Sequence, residues 1–298
     1  MQNPRFNVRM LAPEIGAEIL DVDVNKLTDE EFAELRRLWV ENLVIFFRDQ
    51  KMTPAQQVAF GRRFGELRVS HNPRVHHPEH PEIAVLLNDE TAKNAVGDMW
   101  HTDGSGDFEP PMASMLYMHE IPPGGGGDTL FASTQLAYAS LSESMKTYLE
   151  SLTAIHDRHY AMRSQYGIYA QQSGDGAPVV EHPVVRTHPE SGKKGLYVNR
   201  AWTTHIVQLK KAESDALLAF LFNHIEQPLH QCRFKYEPSS IALWDNRSAQ
   251  HLALWDYFPH RRLAHRVMVA GDRPFLHSPA ARTEQARISD RLEARLPA

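Results

Sequence analysis

The chain has 298 residues, 42% of them hydrophobic and 23% charged, with a formal net charge of -5. That is enough to bury a large single core; no apolar run approaches the roughly 18 residues of a membrane span, and the acidic balance gives no footprint for a nucleic-acid partner. The single cysteine, Cys232, cannot close an intrachain disulfide, and the stretch Met1 to Phe6 lacks the charged-then-apolar pattern of a secretory signal, so a cytoplasmic protein is expected.

In chain order, Thr28-Asp29-Glu30-Glu31 reads as a capping box opening a helix with Phe32, Leu35 and Leu38 or Trp39 on one stripe. Leu43 to Phe47 is apolar and of strand length, and Thr53 followed by Pro54 opens a second helix. From Ser70 to Pro81 the sequence mixes prolines with His71, His76, His77 and His80 and has no period, so it reads as a loop of solvated histidines. Ile83 to Leu87 is a strand, Asn88 to Asp98 a loop, and Ala113 to His119 a strand after the break at Pro110 and Pro111. The four glycines before Asp128 lack the lysine and helix of a phosphate-binding loop, so a tight turn is expected.

Ser140 to Glu143 opens a helix with Met145, Tyr148, Leu149 and Leu152 inward; His156 and His159, just beyond, take core or capping roles. Residues 161–177 are polar and glycine-rich, a candidate mobile segment. His182-Pro183 lies between two valine pairs, His188 falls in a turn, and Gly195 to Asn199 reads as a strand. A helix from about 211 to 224 is expected to bury Leu217, Leu218, Phe220, Leu221 and Ile225. Strands follow at Arg233 to Glu237, Ile241 to Trp244 and Leu263 to Ala270. Over 280–298, Ile288, Leu292 and Leu296 have helical spacing, which predicts an appended helix docked on its own or a partner subunit. Many short strands with helices at the ends and one interior argue for one β-sandwich or barrel domain over 1–298 rather than βαβ units.

The chemistry-bearing stretch is Trp100-His101-Thr102-Asp103. On an extended strand, residues i and i+2 share a face, so His101 and Asp103 can converge on one point. With a second histidine from elsewhere they would form the two-histidine, one-carboxylate set that leaves open positions on non-haem Fe(II). Taken alone, a His-x-Asp pair is more often turn chemistry or an exposed pair.

His101-Thr-Asp103, Gly127-Asp-Thr129, Trp244-Asp-Asn-Arg247, His251 and Arg262 follow in the order, and at about the spacing, of the taurine/2-oxoglutarate dioxygenase family. The resemblance covers roughly residues 8 to 275 and includes Phe46-Phe-Arg-Asp-Gln50, His182-Pro-Val-Val-Arg-Thr-His-Pro189 and His265-Arg266. It implies a mainly β fold with flanking helices (α+β) and a double-stranded β-helix (jelly-roll, cupin-like) core. It also implies Fe(II) held by His101, Asp103 and His251, with 2-oxoglutarate and O2 as co-substrates. Arg262 matches the arginine that meets the far carboxylate of 2-oxoglutarate, where a guanidinium fork suits a carboxylate better than lysine would, and Thr129 its hydroxyl partner.

The implied reaction couples decarboxylation of 2-oxoglutarate to succinate and CO2 with hydroxylation of a substrate carbon; a carbon bearing sulfonate or an ether oxygen would then lose that group. Arg266 matches the position that contacts the substrate anion, and lies four residues from Arg262 on the same strand face. Departures weigh against taurine itself. Gly97 and Gly104 stand where larger groups enclose that small substrate, Ser70-His71 replaces a sulfonate-contacting histidine, and Trp202 stands in place of a phenylalanine. The expected substrate is a longer or bulkier sulfonate, sulfate ester or carboxylate, and a homo-oligomer, dimer or tetramer, is the expected assembly. Two other classes share the ligand set: a metal-containing binding or sensing protein without turnover, and a zinc-dependent hydrolase. The complete set of iron and co-substrate ligands speaks against the first, and Thr129 with Arg262 has no obvious task in the second.

Overall fold

The computed structural model describes residues 6–70, 73–92, 97–158, 160 and 179–277. Four expectations therefore fall outside the described residues: the placement of His71, the role of His159, the segment 161–177 and the appended helix over 280–298. Within them the protein is mainly β with helices packed on its outer faces.

The first helix, α1 (Asp29–Asn42), begins where expected. Thr28 accepts a hydrogen bond from the Glu31 amide while Glu31 reaches back to the Thr28 amide, and Leu43 ends the helix in a left-handed conformation. This satisfies orphan amides that the first turn cannot pair internally. The second, α2 (Pro54–Arg62), repeats the device with Thr53 and Gln56. Both helices cover an eight-stranded sheet whose centre is β3 (Val44–Phe47), β14 (Ile241–Asp245), β6 (Ala113–Glu120) and β16 (Arg262–Val269), neighbours in that order. Their packing explains why β14 is apolar from Ile241 to Trp244. Ile241 and Leu243 join the outer cluster with Trp39 and Phe60, while Ala242 and Trp244 turn to the inner cluster with Phe131 and Phe234.

That inner cluster lies between the large sheet and a three-stranded one, β13 (Gln231–Phe234), β7 (Thr129–Ser133) and β15 (Ala249–Ala253), with β7 in the middle. Beyond the small sheet a third apolar cluster packs it against α3 (Thr134–Ala139), α4 (Glu143–Leu149), α5 (Lys211–Ile225) and the remaining short strands.

Several local expectations are corrected. The helix α3, capped by Ser133, has too short a stripe to announce itself in sequence. The strand expected over 195–199 is instead Lys194–Leu196, paired with Val185 to Thr187. Tyr148 and Phe220 face solvent, each 44% exposed. Phe220 covers its ring with His224, four residues on, as i, i+4 neighbours on a helix can. His188 opens a turn as expected, accepting from the Glu190 and Ser191 amides at Nδ1, and it is also buried, with Nε2 2.9 Å from the Asp245 carboxylate.

Candidate metal and co-substrate site

At one end of the inner core, His101 and His251 sit directly opposite each other. Their backbones exchange two hydrogen bonds, His101 N to His251 O at 3.0 Å and His251 N to His101 O at 2.9 Å. This isolated bridge replaces the expected strand. Asp103 lies in a turn, so it reaches the histidines by a change of chain direction and not by i, i+2 alternation. The outcome is the same convergence: ligand atoms of His101, Asp103 and His251 all lie within 4.8 Å of one another, and all three residues are buried. Among the described residues this is the only such group, so His76, His77 and His80 form no second one.

The protonation of the set follows from its surroundings. His101 Nδ1 is 2.7 Å from the Met99 carbonyl oxygen, which can only accept. The ring therefore carries its proton there and turns the Nε2 lone pair inward, the tautomer a metal needs. Burial, with His101 beside it, pushes the His251 imidazole down to about 3 against the pull of Asp103. Burial would raise the Asp103 carboxyl, but Arg266, His251 and His101 override it and hold it well below the usual carboxylate range. Two unprotonated nitrogens and an ionised carboxylate fit Fe(II), which takes its ligands in these forms.

A cavity opens beside this group, lined by His101 and His251 and also by Val75, Leu87, Gly97, Leu116, Thr129, Trp244, Leu254, Tyr257, Arg262 and Arg266. Arg262 is only 7% exposed, and no acidic residue among the described ones pairs with it. Instead its guanidinium lies against the rings of Tyr236 and Tyr257, at 5.5 and 6.0 Å from their centroids. A buried cation with only aromatic company is costly until an anion arrives. Gly127 makes room for it. It has φ +69, and a Cβ there would stand 2.7 Å from Arg262 Cδ and Nε. Tyr236 donates its hydroxyl proton to Thr129 Oγ1 at 3.2 Å, leaving the threonine proton free to point elsewhere.

Residues 7–268 match the taurine catabolism dioxygenase TauD, TfdA family. The chain belongs to this family. It is accordingly a 2-oxoglutarate-dependent dioxygenase, with Fe(II) as its metal and 2-oxoglutarate and O2 as co-substrates. An α-ketoglutarate-dependent sulfonate dioxygenase of Saccharomyces cerevisiae is 37% identical over 290 residues, covering 91% of this chain and 68% of the relative. An α-ketoglutarate-dependent sulfate ester dioxygenase of Pseudomonas putida is 32% identical, covering 90% and 91%. The crystal structure of a taurine dioxygenase from Burkholderia xenovorans is 35% identical, with a TM-score of 0.79 over 93% of this chain and 94% of that one.

Against the family reading, the remaining candidates divide. Arg266 reaches the site, with Nη1 3.1 Å from Asp103 Oδ1 and its Nε buried without a partner among the described residues. Gly97 borders the cavity at φ +94, where a Cβ would meet His101 Cε1 at 3.3 Å. Gly104 does not border it. Its φ is +63, and a Cβ there would strike Pro111 Cδ at 2.6 Å, so the glycine serves the turn and not the substrate's space. Trp202 is likewise outside the cavity, packed behind Gly106.

Sequence reasoning missed the residues that hold the ligand turn. Ser105 Oγ accepts from Asn199 Nδ2 at 2.9 Å, and His182 Nε2 lies within 3.1 Å of the Ser105 and Asp107 carbonyls. Asp107 is paired with Arg68 and Arg158. Before His251, the buried Asp245 carboxylate takes Arg247 and His188. The available signal was that His182, His188 and Asp245-Asn246-Arg247 belong to the stretches that carry the family resemblance, while no local pattern gave them a role.

Proposed function

We propose that His101, Asp103 and His251 hold Fe(II), that Arg262 and Thr129 receive the far carboxylate of 2-oxoglutarate, and that Arg266 anchors an anionic organic substrate. The observation that carries the co-substrate assignment is the buried, acid-free Arg262 in the same cavity as His101 and His251. An arginine fork matches a carboxylate bidentately and gains strength where water is excluded. When bound, the metal and co-substrate supply the redox chemistry that turns a substrate C–H into C–OH. The chain's own work is placement: two arginines on one strand address two different anions, and the apolar wall of Val75, Leu87 and Leu254 keeps the space between them dry.

The proposed substrate is a small to medium sulfonate, sulfate ester or carboxylate, with C–S or C–O cleavage following where the hydroxylated carbon bears that group. The apolar wall and the missing side chain at Gly97 favour a molecule longer than taurine. The reading further includes a double-stranded β-helix core, a single domain over the whole chain, and a dimer or tetramer in the cytoplasm acting without nucleic acid or membrane. No described helix is long and apolar enough to cross a membrane.

The test is succinate release under O2 with added Fe(II), across alkyl and aryl sulfonates, sulfate esters and aryloxy carboxylates. Substrate-dependent succinate that disappears in His101→Ala and Asp103→Ala is expected. Ligand binding without O2 consumption would favour the sensor reading, and turnover with zinc but not iron the hydrolase.

A further inference from the structure

Asp103 differs from the two histidine ligands in how it is held. The histidines are locked through a backbone bridge, whereas Asp103 stands on a turn and its carboxylate must be oriented through its own oxygens. One of these, Oδ1, accepts from Arg266. The other, Oδ2, accepts from Ser114 Oγ at 2.7 Å. Ser114 is fully buried on β6 and in turn receives Asn246 Nδ2 at 3.0 Å, while Asn246 Oδ1 receives Trp244 Nε1 at 3.0 Å.

The direction of this chain is forced. An indole N–H can only donate, so the oxygen of Asn246 must face Trp244 and its amide nitrogen must face Ser114. With its oxygen taken by that amide, the single hydroxyl proton of Ser114 is committed to Asp103. The chain starts at a ring that borders the cavity and lies 4.7 Å from the His251 ring, centroid to centroid.

We propose that Ser114, backed by Asn246 and Trp244, is a positioning residue that fixes the rotation of the Asp103 carboxylate at the metal centre. The inference rests on the reading of His101, Asp103 and His251 as that centre. Arg266 is the changeable partner, since a substrate anion competes for it; Ser114 is the constant one. The relay keeps the carboxylate aimed when Arg266 turns to the substrate.

The experiment is anaerobic titration of the metal-free protein with Co(II), followed by calorimetry and by the visible absorption of the bound ion, beside the melting temperature of the metal-free form. Ser114→Ala is expected to weaken Co(II) binding about ten- to a hundredfold, the usual scale for losing a partner of a ligand, and to shift the absorption band. Asn246→Asp keeps the side chain's shape, still accepts from Trp244, and draws the Ser114 proton to itself; it is expected to weaken binding comparably. Trp244→Phe is expected to give a smaller loss. If Ser114→Ala does not fold, the latter two variants decide. Wild-type affinity and spectrum in the folded variants, with only the melting temperature lowered, would overturn the proposal by reducing the relay to scaffolding. Failure of the wild-type protein to bind Co(II) would overturn the metal centre itself.

Discussion

Replacing Arg262 by glutamine tests the co-substrate assignment most directly. The guanidinium is buried, touches two tyrosine rings and has no acidic partner among the described residues. Its removal therefore costs the free protein little, and the metal-free variant should melt no lower than wild type. The loss should appear when the anion binds. A hydrogen bond to a charged group contributes about 1.5–3 kcal/mol, which at about 1.4 kcal/mol per decade is roughly a ten- to 150-fold rise in the 2-oxoglutarate KM. Arg262→Lys, which keeps the charge but loses the fork, should fall between the two. The assay is succinate release against 2-oxoglutarate concentration at saturating substrate, with calorimetry of 2-oxoglutarate on the Mn(II)-loaded protein as a check without turnover. An unchanged KM together with a lower melting temperature would refute the reasoning, because it would make Arg262 a structural cation.

Gly127→Ala should reproduce a weaker form of the same defect, since its Cβ would stand 2.7 Å from Arg262 and the backbone φ of +69 is strained for alanine; a raised 2-oxoglutarate KM with a stability loss of about 1–2 kcal/mol is expected. Asp245→Ala should destabilise the protein by about 1.5–3 kcal/mol, because it leaves the buried Arg247 with Glu190 as its remaining carboxylate and removes the His188 contact; urea unfolding measures it. Burial pushes His182 and His265 down to about 4. The unfolded chain then binds more protons than the folded one between about pH 6.5 and 4, so stability is full above that window and falls as pH drops through it. The slope should approach about 1.4 kcal/mol per pH unit for each histidine, and His182→Gln should flatten it in urea unfolding at pH 5 and 7.

The parts of the site that could be read from the sequence were those whose chemistry is local or whose spacing is diagnostic: His101 with Asp103, and the series from Thr129 to Arg266. What could not be read depended on which element faces which. Ser114 sits in an apolar strand and reads as filler until the turn bearing Asp103 is laid across it. Gly104 sits beside the ligands in sequence but faces Pro111, so adjacency misled. The helices opened by Thr28 and Thr53 were predictable because their caps close within four residues. The early end at Leu196 was not, since strand length is set by the partner and only Val185 to Thr187 is available to pair.

The reciprocal backbone bridge between His101 and His251 has a consequence for the life of the catalyst. Two of the three proposed metal donors are joined by backbone hydrogen bonds that need no ion, so they stay registered opposite each other whether or not one is bound. On the proposed assignment, stripping the ion with a chelator and adding Fe(II) back should restore binding without a refolding step.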